Sequence, residues 1–185
     1  MALTESNILP LGSKAPPFSL PDTISGSEVT FESAKGEVGT IVMFICNHCP
    51  YVIHINRQIV DIANEFKAKG IHVIAINSND IDKYPDDRPE LMRFAAKVLQ
   101  YPFPYLFDAT QEVAKAYDAA CTPDIYVFDA HDKLYYKGRL DDSRPGNGKP
   151  VTGKELRMAL DLLILGEPPM THQFPSAGCN IKWKT

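Results

Sequence analysis

Two cysteines separated by two residues, Cys46 and Cys49, are the side chains of this chain best suited to chemistry. Side chains three positions apart meet on one face where the backbone enters a helix, so the two thiols can close a small reversible disulfide ring. Pro50 follows directly, and proline is tolerated in a helix only in its opening turn. The pattern predicts a redox-active pair at a strand-to-helix junction.

The start of a helix also favours one thiol of the pair as a nucleophile. Unpaired amide groups and the positive end of the helix dipole stabilise a thiolate relative to a thiol. We therefore predict that Cys46 is the nucleophile and that Cys49 is the resolving thiol. A protonated His48 between them would lower the thiolate pKa further and make the pair more oxidising.

Metal binding is the competing interpretation of the same residues. Thiolates and imidazoles are ligands for zinc and copper, and the chain offers Cys46, Cys49, His48, His54, Cys121 and Cys179. However, there is no second closely spaced pair of cysteines or histidines, which a metal site would be expected to show. We therefore favour redox chemistry and expect neither a bound metal nor an organic cofactor.

Composition limits the class of protein. The 185 residues are 44% hydrophobic, enough for the core of one domain spanning residues 1–185, and four cysteines are too few for a disulfide scaffold. A net charge of −4 provides no basic surface for nucleic acid. The N-terminus does not resemble a secretion signal, and no apolar run approaches about 18 residues. We expect a cytoplasmic protein without membrane association.

The hydrophobic pattern predicts alternating strands and helices around the cysteine motif. Unbroken apolar runs at 40–45 and 71–76 are typical of central strands, and they flank an amphipathic helix from Pro50 to a stop at Gly70. Further predicted elements are helices at 88–99, 111–117 and 153–165, and strands at 105–107, 125–128 and 134–136. An N-terminal extension over 1–38 contains edge strands near 18–20 and 29–31, and the tail over 166–185 is mostly irregular.

The order strand, Cys46-Asn47-His48-Cys49, helix, strand, then Thr122-Pro123 before an edge hairpin resembles the thioredoxin superfamily. The resemblance implies an α/β fold with a central mixed β-sheet flanked by helices. It also implies that Pro123 is cis and packs against the cysteine pair, and that Thr122 offers its backbone to an incoming peptide or thiol.

A narrower resemblance covers nearly the whole chain. The segments 44–52, 121–124, 141–148 and 178–184 are similar to a peroxiredoxin-like bacterial subgroup of the alkyl hydroperoxide reductase and thiol-specific antioxidant family, the redoxins, and segment 11–20 resembles the N-terminal hairpin of the broader branch of peroxiredoxin-like and membrane-tethered thioredoxin-like proteins. The resemblance implies an N-terminal β-hairpin, substrates that are protein or small-molecule disulfides or alternatively peroxides, and an external thiol reductant. A peroxidatic Cys49 would have proline and threonine or serine where Val42 and Cys46 stand, so disulfide exchange is favoured over peroxidase activity.

Two further cysteines are possible auxiliary redox groups. Cys121 directly precedes Thr122 and should lie near the pair, as a third redox thiol, a metal ligand or a packed apolar side chain. Cys179 lies in the polar tail, where we expect exposure, and it is either an additional resolving cysteine or a spectator. The acidic pairs Asp86-Asp87 and Asp141-Asp142 are expected in solvated turns, without a chemical role.

Overall fold

A five-stranded mixed sheet forms the centre of the computed structural model, which describes residues 3–185. Met1 and Ala2, which belong to the predicted domain and its N-terminal extension, lie outside the described residues. The strand order is β6–β5–β4–β8–β9. Strands β4, β5 and β6 are parallel to one another, β8 is antiparallel to β4, and β9 is antiparallel to β8. The strands are β4 (Gly39–Phe44), β5 (Ile71–Asn77), β6 (Tyr105–Phe107), β8 (Asp124–Asp129) and β9 (Leu134–Lys137). The predicted mixed sheet is confirmed.

The central strand β4 is covered on both faces. Ile41 and Met43 join the apolar cluster on the side of the long helix, whereas Val42 and Phe44 join a second cluster on the opposite side. Successive side chains of a strand point to opposite faces, so an unbroken apolar run is the pattern that two covered faces require. The prediction of a central strand ending just before the cysteines is confirmed.

Helix α2 (Pro50–Lys67) follows the cysteine motif and packs against β5. Its apolar residues recur at steps of three and four, and they are buried: Val52, Ile55, Ile59, Ile62 and Phe66. Gly70 has a φ of 81°, a left-handed conformation that glycine adopts without strain. The remaining helices are α1 (Phe31–Ala34), α3 (Pro89–Leu99), α4 (Glu112–Ala116) and α5 (Lys154–Ile164), with a short 3-10 helix at Pro85–Asp87.

Two smaller sheets complete the fold. The predicted N-terminal hairpin is β2 (Ser19–Pro21) paired with β3 (Glu28–Thr30). The other sheet has the order β1–β10–β7, from β1 (Leu3–Glu5), β10 (Ala177–Asn180) and β7 (Cys121–Thr122). The tail is thus mostly irregular, as expected, but it carries one strand between the N-terminal strand and the Thr122-Pro123 loop. No helix within residues 3–185 has both the length and the apolar character needed to cross a membrane.

Candidate redox site

The cysteine motif forms the loop between β4 and α2. The amide of Ile45 donates to Ile76 O at 3.0 Å, which extends the pairing of β4 with β5 up to the motif. Cys49 is the N-cap residue, and its carbonyl accepts from the amides of Val52 and Ile53, each at 3.0 Å. The spacing alone suggested that the cysteines occupy the first turn of the helix. In the structure both cysteines instead precede the helix.

Both thiols of the motif are free and buried, with exposed fractions of 2% for Cys46 and 0% for Cys49. Cys46 Sγ lies 3.7 Å from Thr122 Oγ1, and the Cys49 thiol donates to Thr122 O at 3.2 Å. The Thr122–Pro123 peptide bond is cis, as the family resemblance implied. Residues more than seventy positions apart in sequence are thus brought together at the predicted place.

The two thiols shift each other's pKa in opposite directions. Interaction with Cys46 lowers the pKa of Cys49 to about 4 against the opposing effect of burial, and Thr122 and Cys179 lower it further. The same interaction raises the pKa of Cys46, and burial and the charge of Asp87 add to this rise. The surroundings therefore favour the thiolate on Cys49, whereas the sequence favoured Cys46. That Cys46 attacks the substrate stays a prediction.

Asp87 is a site residue that the sequence analysis missed. Its carboxylate is fully buried, with Oδ2 lying 2.8 Å from His48 Nδ1, and it accepts hydrogen bonds from the Asn47 amide and the Asn79 side chain, each at 2.8 Å. Burial disfavours the charged carboxylate, but these partners together hold its pKa below the ordinary value. The expectation that Asp87 lies in a solvated turn is wrong.

His48 is fixed by Asp87 on one side and by Tyr84 on the other. The hydrogen bond to Asp87 raises the pKa of His48, and the imidazole stacks on the Tyr84 ring with centroids 5.3 Å apart. A His48 nitrogen, an Asp87 oxygen and Cys46 Sγ all lie within 4.8 Å of one another. The site therefore places the ion pair of His48 and Asp87 beside the Cys46 thiol.

This trio is the only group of three metal-ligating side chains found within residues 3–185. Two ligands at about 2.0–2.1 Å from a tetrahedral zinc would lie about 3.3 Å apart. The 2.8 Å between His48 Nδ1 and Asp87 Oδ2 is shorter than this and is instead the distance of a close ion pair. Geometry therefore favours an ion pair next to a thiol over a preformed metal site.

The other two cysteines, Cys121 and Cys179, both lie next to Thr122, one in the same strand and one in the paired strand. Cys121 is adjacent to Thr122 in β7, its thiol donates to Pro123 O at 3.5 Å, and burial raises its pKa. Cys179 pairs with Thr122 across β7 and β10 and is only 2% exposed. The predicted exposure of Cys179 is therefore wrong, because β10 is paired between β1 and β7 rather than being part of a free tail.

Pairing with β10 also changes the predicted role of Thr122. The backbone that the family resemblance offered to an incoming peptide already forms a strand pair with the chain's own tail. A small cavity of about 20 Å³, near the size that one water needs, remains beside Pro123. His54, one of the candidate metal ligands, contributes to its wall and lies 2.7 Å from Ser143 Oγ.

Comparison with solved structures shows close relatives over the full length. An uncharacterized conserved protein from Geobacillus kaustophilus is 56% identical, with a TM-score of 0.98, over 100% of this chain and 97% of the relative. A hypothetical protein from Sinorhizobium meliloti is 45% identical, with a TM-score of 0.96, over 98% and 99%. A putative thioredoxin from Neisseria meningitidis is 27% identical, with a TM-score of 0.63, over 82% and 90%.

Sequence comparison identifies the family. None of the curated proteins matches the chain. The family model described as Redoxin matches residues 10–154, which include β2 to β9, both cysteines of the motif and the cis-proline loop. Together with the thioredoxin-like fold, this match shows that the chain belongs to the Redoxin family, within the group of alkyl hydroperoxide reductase and thiol-specific antioxidant proteins.

Proposed function

We propose that this redoxin catalyses thiol–disulfide exchange, with Cys46 and Cys49 as its reversible dithiol. Membership of the family supports a thiol redox function in general. The observation that carries the specific proposal is the contact of both thiols with Thr122, which precedes the cis-proline, and the opposing pKa shifts of the two thiols are consistent with it. A thiolate held beside a second thiol can attack a disulfide and then be released by its neighbour.

The reaction balances without a cofactor. The proton of Cys46 passes to Cys49, and the Cys46 thiolate attacks one sulfur of a substrate disulfide, forming a mixed disulfide and expelling the other sulfur as a thiolate. Cys49 then loses its proton and attacks Cys46 Sγ, which releases the second substrate thiol. Two electrons and the one proton of the dithiol pass to the substrate, solvent supplies the second proton that two substrate thiols require, and an external thiol reductant restores the Cys46–Cys49 dithiol.

His48 and Asp87 supply the proton transfers in this proposal. Asp87 raises the pKa of His48 and so favours the protonated imidazole, which can protonate the leaving thiolate. Neutral His48 can then accept the Cys49 proton in the resolving step. Asp87 acts through His48 by holding its ring and its charge, and is therefore a positioning residue.

Access to the pair favours substrates of limited bulk. Both thiols are almost fully buried and the Thr122 backbone is covered by β10. We therefore expect disulfides of small molecules or of flexible protein segments as substrates. The free thiols fit a reducing compartment such as the cytoplasm, and we treat residues 1–185 as one catalytic domain.

Reduction of insulin disulfides with dithiothreitol as electron donor tests the proposal. We expect turnover by the wild type, loss of turnover in Cys46→Ser and in Cys49→Ser, and wild-type turnover in the matched control Cys121→Ser. Metal-free protein, checked by elemental analysis, should retain full activity. A protein without turnover, or one whose turnover survives the combined substitution of Cys46→Ser and Cys179→Ser, would contradict the proposal.

Thiol-dependent peroxide reduction is the second candidate, and the low pKa of Cys49 favours it. A Cys49 thiolate would attack a peroxide oxygen, giving a sulfenic acid and an alcohol or water, and a second thiol would then form a disulfide with loss of water. The two functions predict different activities for the cysteine variants. Peroxide reduction that persists in Cys46→Ser but disappears in Cys49→Ser would establish the peroxidase.

A further inference from the structure

Cys179 lies on β10, which pairs with the strand β7 that carries Thr122 to the reactive pair. It is the direct antiparallel partner of Thr122, and such partners project their side chains on the same face of a sheet. The Thr122 side chain on that face contacts Cys46 Sγ at 3.7 Å. The Cys179 thiol is therefore directed toward the pair, and it packs in the same apolar cluster as Cys46 and Cys49.

Cys121 has the opposite orientation. It precedes Thr122 in β7, so its side chain leaves from the other face of the strand. Its thiol donates to Pro123 O, on a side where the charged neighbours are Asp124 and Lys137. The two auxiliary cysteines are thus not equivalent, and Cys121 provides a natural control for Cys179.

Close contact between the strands brings Cys179 within reach of Cys49. A Cβ atom on Gly178 would lie 2.0 Å from Thr122 O, so only glycine permits this approach. Thr122 O is also the acceptor of the Cys49 thiol at 3.2 Å. The Thr122 carbonyl oxygen therefore contacts both the Cys49 thiol and strand β10. The Cys179 thiol and the Cys179 backbone also interact with the Cys49 sulfur.

We propose that Cys179 is a third redox thiol, which forms an alternative disulfide with Cys49. This inference rests on the proposed exchange function and assigns the tail strand a part in it. In the oxidised protein the Cys179 thiolate attacks Cys49 Sγ, the Cys49–Cys46 bond breaks, and the Cys49–Cys179 bond forms. Cys46 leaves as a thiolate and takes up the proton that Cys179 has lost, so the step needs no external oxidant or reductant.

The exchange regenerates a free Cys46 while the protein stays oxidised. Burial disfavours the Cys179 thiolate, and burial together with the neighbouring Cys49 raises the pKa of Cys179 to about 12 in the reduced protein. The charge on Cys49 disappears when that sulfur enters a disulfide, so oxidation of the pair removes this part of the barrier. Oxidation of the pair therefore makes the Cys179 thiolate less unfavourable than it is in the dithiol form, while the effect of burial stays.

Tryptic mapping separates the two disulfides. Cys46 and Cys49 share the peptide 36–57, Cys121 lies on 116–133, and Cys179 lies on 158–182. A Cys46–Cys49 disulfide leaves peptide 36–57 uncrosslinked and two hydrogens lighter. A Cys49–Cys179 disulfide joins peptides 36–57 and 158–182.

The experiment oxidises the full-length protein in glutathione buffers, blocks free thiols with iodoacetamide and maps the peptides. In Cys46→Ser we expect the 36–57 to 158–182 crosslink as the main product, formed from one oxidised glutathione with release of two reduced ones. In wild type we expect both disulfides, and the crosslink should be lost in Cys179→Ser and kept in Cys121→Ser.

Three outcomes separate this inference from the function it rests on. A wild type that forms the Cys46–Cys49 disulfide, while Cys46→Ser carries only a glutathione adduct on Cys49, overturns the role of Cys179 and leaves the exchange function intact. A crosslink that survives Cys179→Ser and joins 36–57 to 116–133 assigns the role to Cys121 instead and also overturns it. Absence of insulin turnover despite the crosslink rejects the function and retains the Cys49–Cys179 disulfide.

Discussion

His48 Nδ1 lies 2.8 Å from Asp87 Oδ2, which joins the cysteine loop to the segment after β5 through one ion pair. The Asp87 side chain is fully buried, and the His48 side chain is 15% exposed. A charge pair next to a thiol couples the protonation of the imidazole to that of the dithiol. The consequences of this coupling can be measured.

Substitution Asp87→Asn should lower the pKa of His48, because the hydrogen bond and charge that raise it are removed. The pKa of Cys46 should fall as well, since the negative charge of Asp87 contributes to its rise. NMR titration of the His48 ring and the pH dependence of iodoacetamide labelling report these two shifts. The adjacent exposed Asp86→Asn is the matched control, and equal shifts in both variants would contradict the assignment.

The same ion pair makes stability depend on pH in a defined way. The pKa of His48 is raised above its ordinary 6.5, so its contribution is complete below pH 6.5 and is lost as pH rises through the folded-state value. The pKa of Asp87 is lowered from 3.8, so its contribution is complete above pH 3.8 and is lost as pH falls through the folded-state value. Urea unfolding of wild type and Asp87→Asn should therefore differ most between pH 3.8 and 6.5. A difference that grows steadily above this range would contradict the ion pair.

The Thr122 hydroxyl is expected to stabilise the thiolate of the pair. It lies 3.7 Å from Cys46 Sγ and lowers the pKa of both cysteines of the motif. Thr122→Val keeps the side-chain shape without the donor, so labelling of the pair at neutral pH should become slower. Thr122→Ser retains the hydroxyl and should restore the wild-type pH profile. Equal labelling of the valine and serine variants would exclude a role for the hydroxyl.

Substitution Gly178→Ala should displace β10 from β7. The new methyl group would lie 2.0 Å from Thr122 O and 2.9 Å from the Thr122 carbonyl carbon, both parts of a backbone that cannot rotate away. Overpacking of this kind costs about 1–3 kcal/mol of unfolding free energy. The comparison is Gly146→Ala, where φ is 81° but no atom lies within 4 Å of the added carbon, so only backbone strain of about 1 kcal/mol is expected. Urea denaturation measures both, and equal losses would contradict close packing at Gly178.

The sequence predicted those parts of the site that depend on local pattern. The apolar run before Cys46, the proline after Cys49 and the three-and-four spacing of α2 each follow from a few neighbouring residues, and the structure confirms the elements they predict. The position of Thr122 near the pair followed from the family resemblance rather than from the pattern. That resemblance did not imply that β10 covers its backbone.

Asp87 and Cys179 show why the rest was missed. The contact of Asp87 with the Asn47 amide spans 40 positions, and neighbouring acidic residues in a polar segment usually lie in solvent. Cys179 lies in a four-residue strand with Gly178 beside it, a sequence whose composition is typical of a loop. Its burial depends on two distant strands, the N-terminal β1 and β7 at residues 121–122, and no short window of the sequence contains them together with Cys179.

The most direct test of the central claim is a redox titration of the wild-type protein in glutathione buffers, with thiol trapping and mass analysis of peptide 36–57. Thiol–disulfide exchange predicts a reversible two-electron transition that joins Cys46 to Cys49, with a midpoint between about −270 and −120 mV, the range of exchange proteins. A peptide 36–57 in which both thiols are alkylated at every potential would contradict the account. Conversion of Cys49 to a sulfenic acid when the same protein is treated with peroxide would then favour the peroxidase.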